Sequence, residues 1–306
     1  LCVLVDIMPD FELSVTICSW NTIADTRACL ASLREERQTT EFEVIVVDNA
    51  SADGSADMIA TEFPEFRLIR SETNLGFTGG HNRALAERKG HHAALLNSDT
   101  VVHPGAIFTL LEFMRANPEV GVVGPKLLNP DGSLQFSCRR FPNPVAAAFR
   151  NTILGRLFPN NRYVKDYLMV GFDHSEEREV DWVSGAALFL RGEVYEKIGG
   201  LDPSFFMYCE DVDFCKRTWD AGFRVRYLPS AVITHAIGRS TDRIANKMIV
   251  RFHRSMYRYY QKHHLATMNL LLRPFAAGFA LLALGTRASL FLLKNYKDAL
   301  VRAVRK

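Results

Sequence analysis

The sequence predicts an α/β protein: a parallel sheet assembled from βαβ units, continued by a helical C-terminal tail. Three observations carry that expectation. Short apolar, β-rich runs alternate with segments of helical spacing through the first 124 residues. The strand runs are continuously apolar, as in Val44-Ile45-Val46-Val47, so the sheet should be buried on both faces. From Arg243 onward the pattern is helical to the end.

In chain order, Leu13–Trp20 reads as the first strand and Ala24–Arg34 as a helix. Phe42–Asp48 is the second strand, and the turn residues Asn49–Gly54 lead into a helix at Ser55–Glu62. Phe66–Arg70, His92–Leu96 and Val120–Gly124 complete the strand series, with helices at Thr78–Arg88 and Pro104–Ala116. The stretch Pro125–Glu179 is less regular, broken by Pro142, Pro144 and Pro159, and reads as loops and short helices. Order returns with a strand-like run at Val180–Leu190, helices at Gly192–Ile198 and Val212–Ala221, and short strands at Phe223–Leu228 and Ala231–Thr234. No internal repeat is visible.

The chain has 306 residues, enough for one large domain with an appendage. Its net charge of +3 conceals an asymmetry: residues 1–242 carry 24 Lys and Arg against 33 Asp and Glu, whereas residues 243–306 carry 13 against the single acid Asp298. A basic tail on an acidic body points to an anionic partner, read here as a membrane surface and not a nucleic acid. The six cysteines (Cys2, Cys18, Cys29, Cys138, Cys209 and Cys215) fit neither a zinc site nor a disulfide framework, so reduced thiols in the cytoplasm are expected. The short apolar run near the N-terminus, with Asp6 and Asp10 beside it, does not resemble a signal peptide.

In open α/β sheets ligands sit beyond the carboxyl ends of the strands. Those ends are polar here: Cys18-Ser19-Trp20-Asn21, Asp48-Asn49-Ala50-Ser51 and Asn97-Ser98-Asp99. One strand-end acid can accept hydrogen bonds from a base N–H or a ribose hydroxyl, and another can hold a divalent cation beside phosphates. Asp48 could equally cap its own turn.

Val46–Ser55, Asn74–Asn82 and Leu95–Thr100, in this order and spacing, resemble the inverting glycosyltransferases of family 2, and among them the bacterial rhamnosyltransferase branch. The resemblance runs from Leu13 to Ser240. It implies a GT-A fold, with a donor half at about 13–125 and an acceptor half at about 126–242 forming one domain over residues 1–242, followed by the tail at 243–306. It also implies roles. Trp20 corresponds to a ring that stacks on the nucleobase, with Cys18 and Asn21 beside it at the donor, and Asp48 to the acid that pairs with the base. Asn97-Ser98-Asp99 corresponds to an Asp-x-Asp motif, leaving Asp99 as the metal ligand and Asn97 as a neutral donor contact. Gly76 and Gly80 open a helix whose N-terminus can approach an anion. Arg83, in the same helix, reads as a solvated charge.

Three acids follow a run of aromatics in Phe205-Phe206-Met207-Tyr208-Cys209-Glu210-Asp211-Val212-Asp213. Acids suit a helix start, but that alone does not explain the aromatic crowding. Aromatic walls desolvate a carboxylate and raise its pKa, as a general base near neutrality requires. The resemblance makes Asp211 the base that deprotonates the acceptor hydroxyl and Glu210 an acceptor contact; Asp213 is read as structural. His235 would complete the metal site with Asp99, holding Mn²⁺ or Mg²⁺, and the loop at Ala236–Ser240 could close over the diphosphate. The pairs His91-His92 and His263-His264 are read as surface residues. The implied reaction moves a sugar, such as a deoxyhexose, from a dTDP- or UDP-sugar to a hydroxyl of a glycan or polyprenyl-linked acceptor.

Two other readings meet obstacles. A processive synthase would carry Gln-x-x-Arg-Trp where this chain has Lys216-Arg217-Thr218-Trp219, and a non-catalytic sugar-nucleotide binder would lack Asp99 or Asp211. In the tail, Arg243, Lys247, Arg251, Arg254, Arg258 and Lys262 fall on one helix face and Met248, Phe252, Met256 and Tyr259 on another, a basic amphipathic pattern that suits the cytoplasmic face of an anionic membrane. The uncharged stretch after it, Pro274–Thr286, has 13 residues, where a span needs about 20, so an interfacial helix is expected. The alternative use of these helices is packing on the catalytic domain or a homo-oligomer contact.

Overall fold

A computed structural model describes residues 11–150, 153–236 and 245–304. The central sheet takes β1 (Phe11–Ser19), β2 (Glu43–Asp48), β3 (Arg67–Arg70), β4 (Gly90–Asn97), β5 (Thr100–Val102), β6 (Val120–Leu128), β11 (Ala187–Leu190) and β12 (Arg224–His235) in the order β3-β2-β1-β4-β11-β6-β12-β5. The strands β1 to β4 are mutually parallel, as expected. The middle residues of β1, β2 and β4 are buried on both faces, in β2 Val44 and Val46 on one and Ile45 and Val47 on the other, whereas the edge strand β3 is only half-buried. Helices α1 (Ile23–Glu36), α2 (Ser55–Glu62), α3 (Gly76–Ala86) and α4 (Ala106–Ala116) cover them.

The expected parallel sheet is mostly parallel, with two antiparallel strands. β11 lies between β4 and β6 and runs antiparallel to both, and β5 is antiparallel to β12. The run Ala187-Leu188-Phe189-Leu190 is buried throughout, and a continuous apolar strand carries no mark of its direction. The expected strand Val180–Leu190 is in fact two pieces, β10 (Trp182–Val183) and β11, separated at Ser184-Gly185-Ala186. The two short strands expected at Phe223–Leu228 and Ala231–Thr234 are one long β12, whose register shifts between Leu228 and Val232 around Pro229, a residue that cannot donate to the ladder.

Between β6 and β11 the chain forms the short strands β7 (Leu134–Gln135), β8 (Cys138–Arg139) and β9 (Arg178–Glu179) and the short helices α5 (Pro144–Phe149), α6 (Ile153–Leu157) and α7 (Arg162–Tyr167). After β11 come α8 (Gly192–Ile198), α9 (Glu210–Asp220) and, beyond β12, α10 (Ala245–His263) and α11 (Arg273–Val304).

Long-range caps tie the strand-end loops together. Asp53 Oδ2 accepts from Ile23 N at 3.0 Å at the start of α1, and its Oδ1 accepts from Ser55 N and Oγ at the start of α2. One carboxylate therefore caps two helices whose N–H groups would otherwise be orphaned. Buried Glu36 does the same for α4, accepting from Gly105 N and Ile107 N.

Candidate active site

The carboxyl ends of β1, β2 and β4 open into one cleft, lined by Cys18, Trp20, Asn49, Asn74, Gly76, Phe77, Asn97, Ser98 and Asp99. The rest of the lining is Phe206 and Met207, from the loop before α9, with Met248 and Arg251 from α10. Of the residues expected at the donor, Cys18, Trp20, Gly76 and Asn97 thus line the cleft; Asn21, Asp48 and Gly80 do not.

Each of those three is occupied differently. Asn21 adopts a positive φ of 53° and bridges two loops, its Oδ1 accepting from Ala52 N at 2.7 Å. Asp48 is buried; its Oδ2 accepts from Ser51 N at 3.0 Å, the turn cap foreseen as an alternative, while its buried Oδ1 has no partner. A buried acceptor left unpaired costs about 1–3 kcal/mol, which is a reason to expect a ligand donor there. Gly80 is a packing glycine: a Cβ there would meet Cys18 Sγ at 2.3 Å, so only glycine lets α3 lie on β1. The Cys18 thiol is pushed up to about 12 by burial and by the Asp48 charge, so it stays neutral.

The anion-binding reading of the α3 N-terminus also needs correction. Phe77 N donates to Phe206 O at 3.0 Å, and Gly76 N donates to Asn74 Oδ1 at 2.8 Å. A Cβ on Gly76, whose φ is +74°, would sit 2.4 Å from the same Phe206 oxygen. The helix terminus is therefore filled by the carbonyl of a loop far along the chain. Asn49 completes the lacing, with Nδ2 donating to Gly76 O at 2.9 Å and Oδ1 accepting from Leu75 N at 3.0 Å.

Asp99 and His235 converge as expected. His235 closes β12, and its Nε2 lies 3.3 Å from Asp99 Oδ1 and 3.1 Å from Asn97 Nδ2. Its Nδ1 is 2.7 Å from Gln135 Oε1. The Gln135 amide is oriented in turn by Nε2 donating to Asn129 Oδ1 and to His235 O. With the Gln135 oxygen facing Nδ1, that nitrogen carries the proton and the Nε2 lone pair accepts from Asn97 Nδ2, with Asp99 Oδ1 beside it. A ring oriented from behind and a carboxylate this close suit a shared divalent cation that would take the place of the Asn97 N–H. Residues 237–240 of the expected closing loop lie outside the described residues.

The second acidic group sits at the start of α9. Tyr208 and Cys209 both take left-handed conformations, with φ of 71° and 66°, an uncommon geometry for side-chain-bearing residues. The turn delivers Glu210 and Asp211 onto the break between β10 and β11. Asp211 Oδ2 accepts from Gly185 N at 2.9 Å and Oδ1 from Val212 N at 2.8 Å. Desolvation raises the Asp211 pKa despite these bonds. Glu210 is buried, its Oε2 has no partner, and desolvation together with the Asp211 charge pushes it well above the carboxylate range. Gly185 was not foreseen. A Cβ there would lie 3.2 Å from Phe77 and 3.4 Å from Asp211 Cβ, so glycine lets Asp211 pack against a cleft-lining ring. The only sequence signal was the Ser-Gly-Ala interruption of an apolar run.

Asp213 is fully buried. Burial pushes its carboxyl up, but hydrogen bonds from His263 and Lys262 and the Arg217 guanidinium outweigh this and hold it low. His263 Nε2 is 2.7 Å, and Lys262 Nζ 2.8 Å, from Asp213 Oδ1. The reading of the histidine pairs as surface residues holds for His91, whose side chain is 40% exposed, and is corrected for the other three: His263 is a half-buried partner of Asp213, His264 Nε2 bonds Pro142 O at 3.1 Å, and His92 is buried with its Nδ1 accepting from Gly192 N at 3.2 Å.

The same bonds fasten α10 to the site. Met248 and Tyr259 are buried, Ser255 Oγ donates to Met207 O at 2.9 Å, and Arg258 bonds Ser204 O. Of the basic face expected to meet a membrane, Lys247 and Arg254 are exposed, while Arg251, Arg258 and Lys262 hold the catalytic body. Arg243 lies outside the described residues.

Comparison with known proteins fixes the family. The Glycosyl transferase family 2 profile matches residues 14–173. An N-acetylglucosaminyl-diphospho-decaprenol L-rhamnosyltransferase of Mycobacterium tuberculosis is 32% identical over 245 residues, 76% of this chain and 78% of the relative. Among solved structures, a mannosyltransferase from Pyrobaculum calidifontis in complex with GDP-Man and Mn²⁺ aligns over 95% of this chain and 82% of its own, at TM-score 0.56 and 17% identity. Staphylococcus aureus TarS aligns over 91% and 82%, at TM-score 0.54 and 15% identity. The chain belongs to glycosyl transferase family 2. It is a glycosyltransferase of GT-A fold, with a C-terminal helical extension.

Proposed function

We propose that the protein is an inverting, metal-dependent rhamnosyltransferase of cell-envelope polysaccharide assembly, moving L-rhamnose from a nucleotide diphosphate (dTDP or UDP) to a hydroxyl of a polyprenyl-linked glycan. The observation that carries the reading is a pair of unlike acidic groups: Asp99, which lines the cleft beside His235, and Asp211, its pKa raised by desolvation, which packs at Gly185 behind the cleft-lining Phe77 ring. The rhamnosyl and polyprenyl parts draw on the mycobacterial relative.

Asp99 and His235 would hold a Mn²⁺ or Mg²⁺ ion, with Asn97 as a neutral neighbour. Such an ion, when bound, offsets the negative charge that grows on the departing nucleotide diphosphate. Trp20 offers its ring to the base, and Asp48 Oδ1 is the free acceptor at the neighbouring strand end. Asp211 takes the acceptor hydroxyl's proton as that oxygen attacks the anomeric carbon, and a single displacement inverts the anomer. Glu210, held neutral by burial beside Asp211, can donate its proton in a hydrogen bond to the acceptor.

A polyprenyl-linked acceptor brings the enzyme to the cytoplasmic face of a membrane. Helix α11, not α10, is the element built for that. Residues Arg273–Tyr296 form a 24-residue apolar stretch, long and apolar enough to cross a membrane by length and composition. One of its faces nevertheless lies on the protein: His253 and Phe291 are in ring contact at 6.0 Å, Asn295 bonds Asn246, and Arg287 is partly buried. The other face exposes Phe275, Phe279, Leu282 and Leu290. A helix partnered along one side and apolar on the other lies in the interface rather than spanning it.

The test is incubation of the full-length protein with Mn²⁺, a panel of dTDP- and UDP-sugars and a polyprenyl diphosphate N-acetylglucosamine analogue. The expected result is consumption of dTDP-L-rhamnose and a product of the opposite anomeric configuration by NMR. A retained anomer excludes the mechanism, and consumption of a different sugar excludes the rhamnosyl assignment.

A further inference from the structure

The cleft holds a cation that the proposed mechanism does not use. Arg251, on the second turn of the described α10, lines the same cleft as Asn97, Ser98 and Asp99. It is the single Lys or Arg among the described lining residues of that cleft. Among the described residues no carboxylate pairs with it. Its guanidinium carbon lies 3.9 Å from the centroid of the Phe206 ring instead.

That ring is a fixed platform. The Phe206 carbonyl accepts from Phe77 N, the next residue's carbonyl accepts from Ser255 Oγ on α10, and Gly76 leaves room for nothing but this close approach. Stacking on an aromatic face satisfies the guanidinium's flat surface and leaves its edge, with its N–H fork, free for a planar or tetrahedral anion. Arg258, Lys262 and His263 anchor the rest of the helix. The guanidinium is therefore delivered to the cleft by a wall that is held at several points, as a preorganised charge should be.

We propose that Arg251 binds the diphosphate of the nucleotide donor from the α10 wall of the cleft, and stabilises the same diphosphate as it leaves. This rests on the glycosyltransferase reading above. A nucleotide diphosphate carries more negative charge than one divalent ion offsets, and a guanidinium fork matches phosphate oxygens in pairs. The α3 N-terminus cannot supply this charge, because Phe206 O already fills it. In this arrangement α10 is part of the donor site, and the loop at Phe206-Met207 couples the donor phosphates to the turn that carries Asp211.

The experiment compares full-length wild type, Arg251→Gln and Arg251→Lys for binding of UDP and dTDP with Mn²⁺ by calorimetry, and of uridine and thymidine by competition. Loss of a charge-assisted contact should weaken diphosphate binding about ten- to a hundredfold in Arg251→Gln. Arg251→Lys should lie between, since a lysine restores the charge without the fork. Nucleoside binding and the melting temperature should not move. Equal weakening for nucleoside and diphosphate would show that Arg251 only props the wall, and overturns the proposal. So does unchanged diphosphate affinity, including the case in which only the KM for a polyprenyl diphosphate acceptor rises. Wild-type protein that binds neither nucleotide diphosphate overturns the dTDP or UDP donor reading together with this one.

Discussion

The strand-end half of the cleft and its helical wall are built by different rules. On the strand side, Cys18, Asp48 and Asn97 stand where the parallel strands β1, β2 and β4 end, with Cys18 in register with Asn97 and Asp48 with Ser19. Once the strands pair, the side chains have nowhere else to be. On the helical side, Phe206, Asp211 and Arg251 come from a loop, a helix start and a separate helix, each placed by contacts made with the others. The Phe206 carbonyl caps α3, Ser255 of α10 bonds Met207 O, and Asp213 binds Lys262 and His263. The sheet positions the strand-end side chains through backbone pairing, whereas Asp211 and the helical wall depend on side-chain chemistry spread over 60 residues. Substitutions should therefore act locally on the first side and propagate on the second.

The largest expected effect is at Asp211. Asp211→Asn should lower kcat by roughly two to four orders of magnitude, the usual contribution of a general base, with donor affinity nearly intact. Glu210→Gln sharpens the comparison, because glutamine mimics the neutral acid. Glu210 has a folded pKa raised above its unfolded value, so its protonated form is favoured in the fold and stability is lost as pH rises. Glu210→Gln should then melt higher than wild type at pH 8, with the difference vanishing toward pH 4. Stopped rates and thermal melts at several pH values check both. Near wild-type turnover in Asp211→Asn would remove it as the base.

Next in size is the metal side. Asp99→Ala should abolish the Mn²⁺ dependence of donor binding. His235→Ala should weaken it, and Gln135→Leu should weaken it less, because Gln135 acts only by holding the proton on His235 Nδ1. Losing the partner that orients a metal-binding histidine costs about ten- to a hundredfold in metal affinity. Donor calorimetry with and without Mn²⁺ is the measurement, and metal dependence equal to wild type in Asp99→Ala would exclude the site.

A smaller effect separates α10 from α11. Both carry basic and apolar residues at helical spacing, yet α10 spends its cations on the body and α11 turns its apolar face outward. Phe275→Asp with Phe279→Asp should release the full-length protein from phosphatidylglycerol vesicles, while salt should matter little, because insertion and not charge holds it. A soluble dimer that dissociates in the same variant, with no vesicle binding by wild type, would make this face an oligomer contact instead.

These contrasts also explain what the sequence could say. The βαβ half was legible because buried strands and their polar ends announce themselves in runs such as Val44–Asp48. The direction of β11 was not, since its four apolar residues read alike both ways. Nor was the partner of α10: spacing shows that Arg251, Arg258 and Lys262 share a face, but only the fold brings Phe206, Ser204 and Asp213 to meet it. The glycines were misread for the same reason. Gly76 and Gly80 resemble a phosphate cradle in sequence, while in the structure they admit Phe206 O and Cys18 Sγ, from segments 130 residues later and 62 earlier.

The smallest expected effect is one of stability, and it falls on the strand half. His81, bonded to Thr16 on β1, and His92, on β4, are both buried, and desolvation drives their pKa values down to about 3 and about 4. Their folded pKa lies below the unfolded value near 6.5, so the unfolded chain binds more protons in between. Their stabilising contribution is complete above pH 6.5 and is lost as pH falls toward the folded values, at up to about 1.4 kcal/mol per pH unit for each histidine. On the helical side the corresponding group is Asp213, held below its ordinary value, whose contribution persists until pH falls below the carboxylate range. Between pH 6.5 and 4.5 the strand half should thus weaken while the Asp213 cluster holds. Urea unfolding followed by tryptophan fluorescence across this window should show a midpoint falling with pH, and His92→Gln should make that slope shallower by about the share of one histidine. A midpoint that is flat from pH 6.5 to 4.5 would mean that the two rings open to solvent and take up protons without loss of the fold.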